Sequence, residues 1–91
     1  MKTETIKQAI DFALANAAVK NQIAALEAQP SRFMIYQVVA EVRDHRSGLI
    51  WVVINFYESA RPDFYREDII VELQGTSYDN FIIRRINQVQ L

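Results

Sequence analysis

The sequence predicts an α+β fold, an N-terminal helix packed on a four-stranded antiparallel meander sheet, and three observations carry that prediction. An alanine-rich segment free of proline and glycine opens the chain. A tight turn then joins two apolar runs into a hairpin. Two further strand-like runs follow, each bounded by turn residues. One helical stripe and one meander make two layers around one core, the usual solution for such a pattern. At 91 residues, positions 1–91 read as a single domain.

Residues 3–29 read as helix, with Thr3 or Thr5 as N-cap. Pro30 ends the segment, because proline disfavours helical geometry in the residue before it. The apolar positions do not form one stripe. Ile6, Ala9, Ile10, Ala13, Leu14 and Ala17 cluster on one side, and Phe12, Val19, Ile23 and Leu26 lie roughly 140° away. The helix therefore curves around one sheet, bends or breaks near Asn16 to Ala18, or touches two bodies.

The hairpin spans Phe33 to Ser59, with predicted strands at 33–43 and 49–58. Its turn, Asp44-His45-Arg46-Ser47-Gly48, sets the register whether the loop has three residues, with Gly48 left-handed, or five. Val42 then faces Ile50, Ala40 faces Val52, Val38 faces Ile54 and Tyr36 faces Phe56, a wholly apolar set that reads as the core face. The opposite face pairs Glu41 with Trp51, Val39 with Val53, Gln37 with Asn55 and Ile35 with Tyr57. A solvated sheet face is ordinarily more polar than this.

Residues 60–67, with Arg61-Pro62-Asp63 and Phe64-Tyr65-Arg66, read as a loop. Ile69, Val71 and Leu73 alternate with polar residues and Ile70 to give a third strand at 68–74. A fourth strand is expected at 80–86. No single register keeps all of Phe81, Ile82, Ile83 and Ile86 on one side, and a bulge resolves the conflict. Val89 and Leu91 extend that strand or fray.

Composition narrows the function classes. The net charge of -1 supplies no basic field for nucleic acid or anionic membrane. No cysteine is present, so disulfide scaffolds and thiolate metal sites are out of reach. Charged and polar residues interrupt every hydrophobic run near the start, so a cytoplasmic protein without a membrane span is the expectation.

No catalytic, cofactor-binding or metal-ligating set emerges. His45 is the only histidine and sits in a turn, with no second histidine or cysteine to complete a site. Asp63, Glu67 and Asp68 match no calcium-loop spacing. Ser31, Ser47, Ser59 and Ser77 lack a glycine-flanked elbow and suit capping and turns. Glu41, Glu58 and Glu72 lie on strands without a spacing that makes a carboxylate pair. Arg84-Arg85, with Arg43, Arg46, Arg61 and Arg66 and the aromatics Trp51, Tyr57, Phe64 and Tyr65, offers a single-stranded nucleic-acid reading. Asp44, Asp63, Glu67 and Asp68 interleave those arginines and flatten the potential, so nucleic acid is not the expected partner.

Arginine with aromatics suits a protein interface better. Phe33, Ile35, Val39, Trp51, Val53 and Tyr57 form a patch on the second sheet face, broken by Gln37, Asn55 and Glu41. That much apolar area is seldom left wet on a small monomer. The expected interface is Phe33, Ile35, Gln37, Val39, Trp51, Val53, Asn55 and Tyr57, with the amide pair Gln37–Asn55 satisfying a twin across a two-fold axis. The competing expectation is that the C-terminal residues fold back over the patch.

Gln37-Val38-Val39-Ala40 resembles the Gln-Val-Val-Ala-Gly motif of the cystatins, and a helix followed by a meander is similar to their layout. Glu41 stands where that family has glycine, the motif lies within a strand, and no later Pro-Trp pair follows, so protease inhibition is not carried over. The resemblance does suggest an alternative, a small-ligand pocket between helix and sheet lined by Phe12, Val19 or Ile23 with Glu58 or Glu72 as anchor. The first expectation is a non-catalytic protein–protein interaction module, a small dimeric regulator, adaptor or inhibitor of another macromolecule.

Overall fold

A computed structural model of the chain describes residues 2–29, 34–60 and 66–90. Two helices, α1 (Thr3–Ala15) and α2 (Ala17–Glu27), precede four strands, β1 (Met34–Asp44), β2 (Leu49–Glu58), β3 (Arg66–Gln74) and β4 (Ile82–Gln90). The strands form one antiparallel sheet in the order β1-β2-β3-β4, and both helices pack on one of its faces. This is the α+β meander the sequence predicts. Phe33 and residues 61–65 of the loop expected over 60–67 lie outside the described residues, while Arg66 and Glu67, expected in that loop, begin β3 because they pair with Tyr57 and Phe56.

The single helix expected over 3–29 is two. Asn16 has extended backbone (φ -69°, ψ 133°), and its side-chain oxygen accepts from the amides of Ala18 at 2.9 Å and Val19 at 3.2 Å. It thus ends α1 and caps α2, satisfying two of the amides that a new helix leaves open. The break explains the two apolar clusters. Ala9 and Ala13 from α1 and Val19, Ile23 and Leu26 from α2 enter the same buried cluster, which a straight helix could not arrange. Neither Thr3 nor Thr5 is the N-cap of α1. Lys2 occupies that position and makes no side-chain cap bond.

The hairpin register agrees with the pairing the turn predicts at every position, from Ile35 opposite Tyr57 to Val42 opposite Ile50. Gly48 has φ +71°, and a Cβ there would meet the Gly75 carbonyl oxygen at 2.7 Å. The Gly75 amide also donates to the Gly48 carbonyl at 3.1 Å, so the β1–β2 and β3–β4 connections lock together. The core is built on β2 and β3. Ile50, Val52, Ile54, Phe56, Ile69, Val71 and Leu73 are fully buried. β1 is less enclosed: Met34 is buried, Val38 and Ala40 pack on the cluster, and Tyr36 leans on Phe56 (5.0 Å between rings) while staying 39% exposed.

β4 begins two residues later than expected and continues to Gln90. Leu73 pairs with Ile83 and Glu72 with Arg85, which leaves Arg84 as the extra residue of a bulge. The bulge brings Ile83 and Ile86, three apart in sequence, onto the core and leaves Ile82 outward at 56% exposure. The β3–β4 connection then holds α1. Phe12 meets Tyr78 edge-on at 5.3 Å and Phe81 at 5.7 Å, and the Tyr78 amide donates to the Gln8 side chain.

Two stability outcomes follow from these geometries. Asn16→Ala should lower stability by about 1 kcal/mol, or roughly 4–8 °C in melting temperature, whereas Thr3→Ala should move it by under about 0.5 kcal/mol. Gly48→Ala should cost about 1–3 kcal/mol through its positive φ and the clash with Gly75. Urea denaturation followed by circular dichroism measures all three, and an unchanged midpoint for Asn16→Ala would remove the cap from the account.

Candidate functional site

Because strand side chains alternate in direction, burying Ile50, Val52, Ile54 and Phe56 beneath the helices sends the intervening residues to the opposite face. The four registers arrange that face in rows across the sheet. Glu41, Trp51, Glu72 and Arg85 form one row, and Val39, Val53, Ile70 and Asn87 the next. Gln37, Asn55, Asp68 and Val89 form a third, and Ile35, Tyr57 and Arg66 a fourth. No helix among the described residues lies over these rows. β4 runs in the sheet to Gln90, so the chain through that residue does not fold back over the patch.

Of the residues expected at an interface, Ile35, Gln37, Val39, Trp51, Val53, Asn55 and Tyr57 share this face, and Phe33 lies outside the described residues. Val39 is the most open of its large apolar residues on β1 and β2, at 47% exposure. Trp51, Val53, Asn55 and Tyr57 are half-buried by their strand neighbours.

One row carries a chain of polar contacts. The Trp51 indole N–H donates to Glu72 Oε1 at 3.0 Å, and the Arg43 guanidinium lies 4.1 Å from the centre of the Trp51 ring. Arg43 also pairs with Glu41 at 2.6 Å, and Arg85 approaches the second Glu72 oxygen at 3.4 Å. Two acids and two arginines thus alternate around one tryptophan with no net charge. The Arg43 contact has cation–π geometry, worth about 0.5–1 kcal/mol at an exposed site. The exposed Arg43–Glu41 pair contributes at most about 1 kcal/mol, and the longer Arg85–Glu72 contact has one partner in solvent. Their larger effect is to hold Trp51 in one orientation.

Gln37 lies opposite Asn55 in the third row, as the hairpin register predicts, and Asn55 bonds to the strand on its other side. Asn55 Nδ2 donates to Asp68 Oδ1 at 2.7 Å, so its donor is used within the chain. β3 lies on the other side of β2 and supplies an acid at the same level, a pairing that the hairpin register alone does not contain. Asp68, Ile70, Glu72 and Arg85 therefore belong to this face beside the residues read from sequence. The alternation of Ile69, Val71 and Leu73 was the signal that could have placed the first three there.

The other candidates are not brought together. Val19 and Ile23 are packed in the core, and Phe12 is engaged by Tyr78 and Phe81. Glu72 projects from the opposite side of the sheet, and so it cannot anchor a pocket with them. Glu58 pairs with Met34, away from both Glu41 and Glu72. Arg84 donates to Gln74, and Arg85 is opposed by Glu72. An open cleft of about 400 Å³ lies between the start of α1 and the hairpin tip, lined by Lys2, Thr5, His45, Arg46, Ser47, Gly48 and Thr76. Asp44 shapes that tip by accepting from the Arg46 amide and the Ser47 hydroxyl. Among the described residues, no group of three or more His, Asp or Glu side chains could hold a metal. No helix among them is long and apolar enough to cross a membrane.

The fold and this face define an α+β domain with one helix-covered sheet face and one that no helix among the described residues covers. Comparisons with protein-family models, with curated proteins and with solved structures find no match for the chain.

Glu72→Ala leaves the indole N–H and Arg85 without their shared acceptor. It should cost about 1–2 kcal/mol, less than a buried charged hydrogen bond because Arg85 is well exposed. Urea unfolding read by Trp51 fluorescence measures the loss. An unchanged midpoint together with an unchanged native emission spectrum would show that the contact does not hold the ring.

Proposed function

We propose that this chain is a non-catalytic protein–protein interaction module that docks through the uncovered sheet face. One observation carries the reading: both helices pack on the same face of the sheet, leaving Ile35, Val39, Trp51, Val53, Tyr57 and Ile70 together on the other. Contiguous apolar surface of this kind on a small domain marks an interaction site. A half-buried, oriented tryptophan beside tyrosine and arginine has the composition of an interface centre. The neutral row around Trp51 favours protein over nucleic acid, whose binding rests on unopposed positive charge. Work as a small regulator, adaptor or inhibitor is the kind open to such a module.

Photo-crosslinking tests the docking face. With p-benzoylphenylalanine at position 39, on the open face, irradiation of the intact source cells should give discrete protein adducts. At position 46, in the hairpin tip, it should not. Adducts confined to position 46, or the same diffuse background at both positions, would end the reading.

A further inference from the structure

We infer that the open face is covered by a second copy of this chain, stacked about a two-fold axis that runs parallel to the strands between β2 and β3. The inference rests on the docking-face reading and names the occupant. Its first support is size. Four strands about 4.8 Å apart and some ten residues long, at about 3.3 Å per residue, present roughly 600 Å² of projected sheet. The corrugated accessible surface is larger and is of the order of the ~800 Å² that each partner gives to a stable complex.

The second support is the arrangement of charge. Turning the face over about this axis lays β1 on the partner's β4 and β2 on the partner's β3, and each row meets its own copy. Glu41 then faces the partner's Arg85, and Arg85 faces the partner's Glu41, because the two residues end the same row. Val53 meets the partner's Ile70, Asn55 meets the partner's Asp68 and Tyr57 meets the partner's Arg66, while on the edge strands Val39 meets the partner's Asn87 and Gln37 meets the partner's Val89. No acid faces an acid. Glu72 meets the partner's Trp51, and its two oxygens already hold in-chain partners, which offsets its desolvation.

The other in-plane two-fold, perpendicular to the strands, loses the Glu41–Arg85 complementarity. Centred on the Val39 row, it sets Glu72 against the partner's Asp68. Moved half a step along, toward the Asn55 row, it opposes no like charges but sets Val53 and Ile70 against Asn55 and Asp68 and leaves Glu41 opposite Ile35, so the Glu41–Arg85 contact is lost. The Glu72–Asp68 opposition of the centred placement costs several kcal/mol, as like charges in contact do at an interface. Sheets stacked face to face lie about 10 Å apart with their strand directions within about 30° of each other. Glutamate and arginine side chains reaching from both sides span that gap.

Sedimentation velocity on the full chain tests the axis. Wild type should be a dimer at tens of micromolar. Glu41→Arg and Arg85→Glu should each weaken self-association at least about tenfold, because each puts like charges opposite one another twice. An equimolar mixture of the two variants should recover the dimer, since both contacts of the mixed pair have opposite sign. Both side chains are more than half exposed, so neither change reaches the core, and circular dichroism verifies each fold. A variant that dimerises as wild type does, or a mixture that stays monomeric, overturns the axis. A wild type that is monomeric at several hundred micromolar overturns self-association altogether. If position 39 still crosslinks to a different protein in that case, the docking face stands without it.

Discussion

Ile50, Val52, Ile54 and Phe56 are wholly buried on one side of β2, and the rest of the structure depends on that alternation. A strand has a side-chain period of two, so a slip of one residue would exchange every buried position for one on the other face. Both neighbours of β2 take their register from it. The left-handed Gly48, closed against Gly75, fixes the β1 side, and the alternating isoleucine, valine and leucine of β3 fix the other. The helices then have only one apolar sheet surface deep enough to receive them.

The two faces consequently follow different physical rules. The helix-covered face is dry along β2 and β3, and its packing supplies most of the stability a domain of this size can gather. Glu67 is its one buried acid among the described residues, and it accepts from Gln88. The open face mixes apolar side chains with cross-strand hydrogen bonds, each modest, that fix side-chain direction. Trp51 is held from above by Arg43 and at its nitrogen by Glu72, and Asn55 is held by Asp68. Pre-orientation of this kind lowers the ordering cost of association, which is where much potential affinity is lost. The same rows keep net charge close to zero across the sheet, and this gives the face a sense of direction that an all-aliphatic patch would lack.

Legibility in the sequence varied with the range of the interaction. The hairpin could be set by hand because its turn, its glycine and its two runs lie within 27 consecutive positions, Phe33 to Ser59. The conflict in β4 was visible as an apolar run that fits neither face, and the bulge at Arg84 is its resolution. The mismatch of apolar clusters in the helix was also visible. What it could not reveal was that Asn16 would end one helix and cap the next, so that both clusters reach one core. Thr3 and Thr5 were expected to cap because their side chains suit the role, yet Lys2 holds the position without a side-chain bond. On the open face, the β1 and β2 residues were named from sequence. Their neighbours on β3 and β4 were not, and so the Asn55–Asp68 hydrogen bond, formed beside the Gln37–Asn55 register pair, has no counterpart in the sequence reading.

By itself the sequence determined the α+β class, the hairpin register and the existence of a second, unusually apolar sheet face. Each follows from local period and turn chemistry, which act between residues close along the chain. Only the tertiary structure decided that both helices take the same side, that β4 lies flat in the sheet to Gln90 and that Glu72 joins Trp51 to Arg85. Those outcomes depend on residues far apart in sequence meeting in space. Trp51 and Glu72 are 21 positions apart, and no periodicity within either strand encodes the other's register.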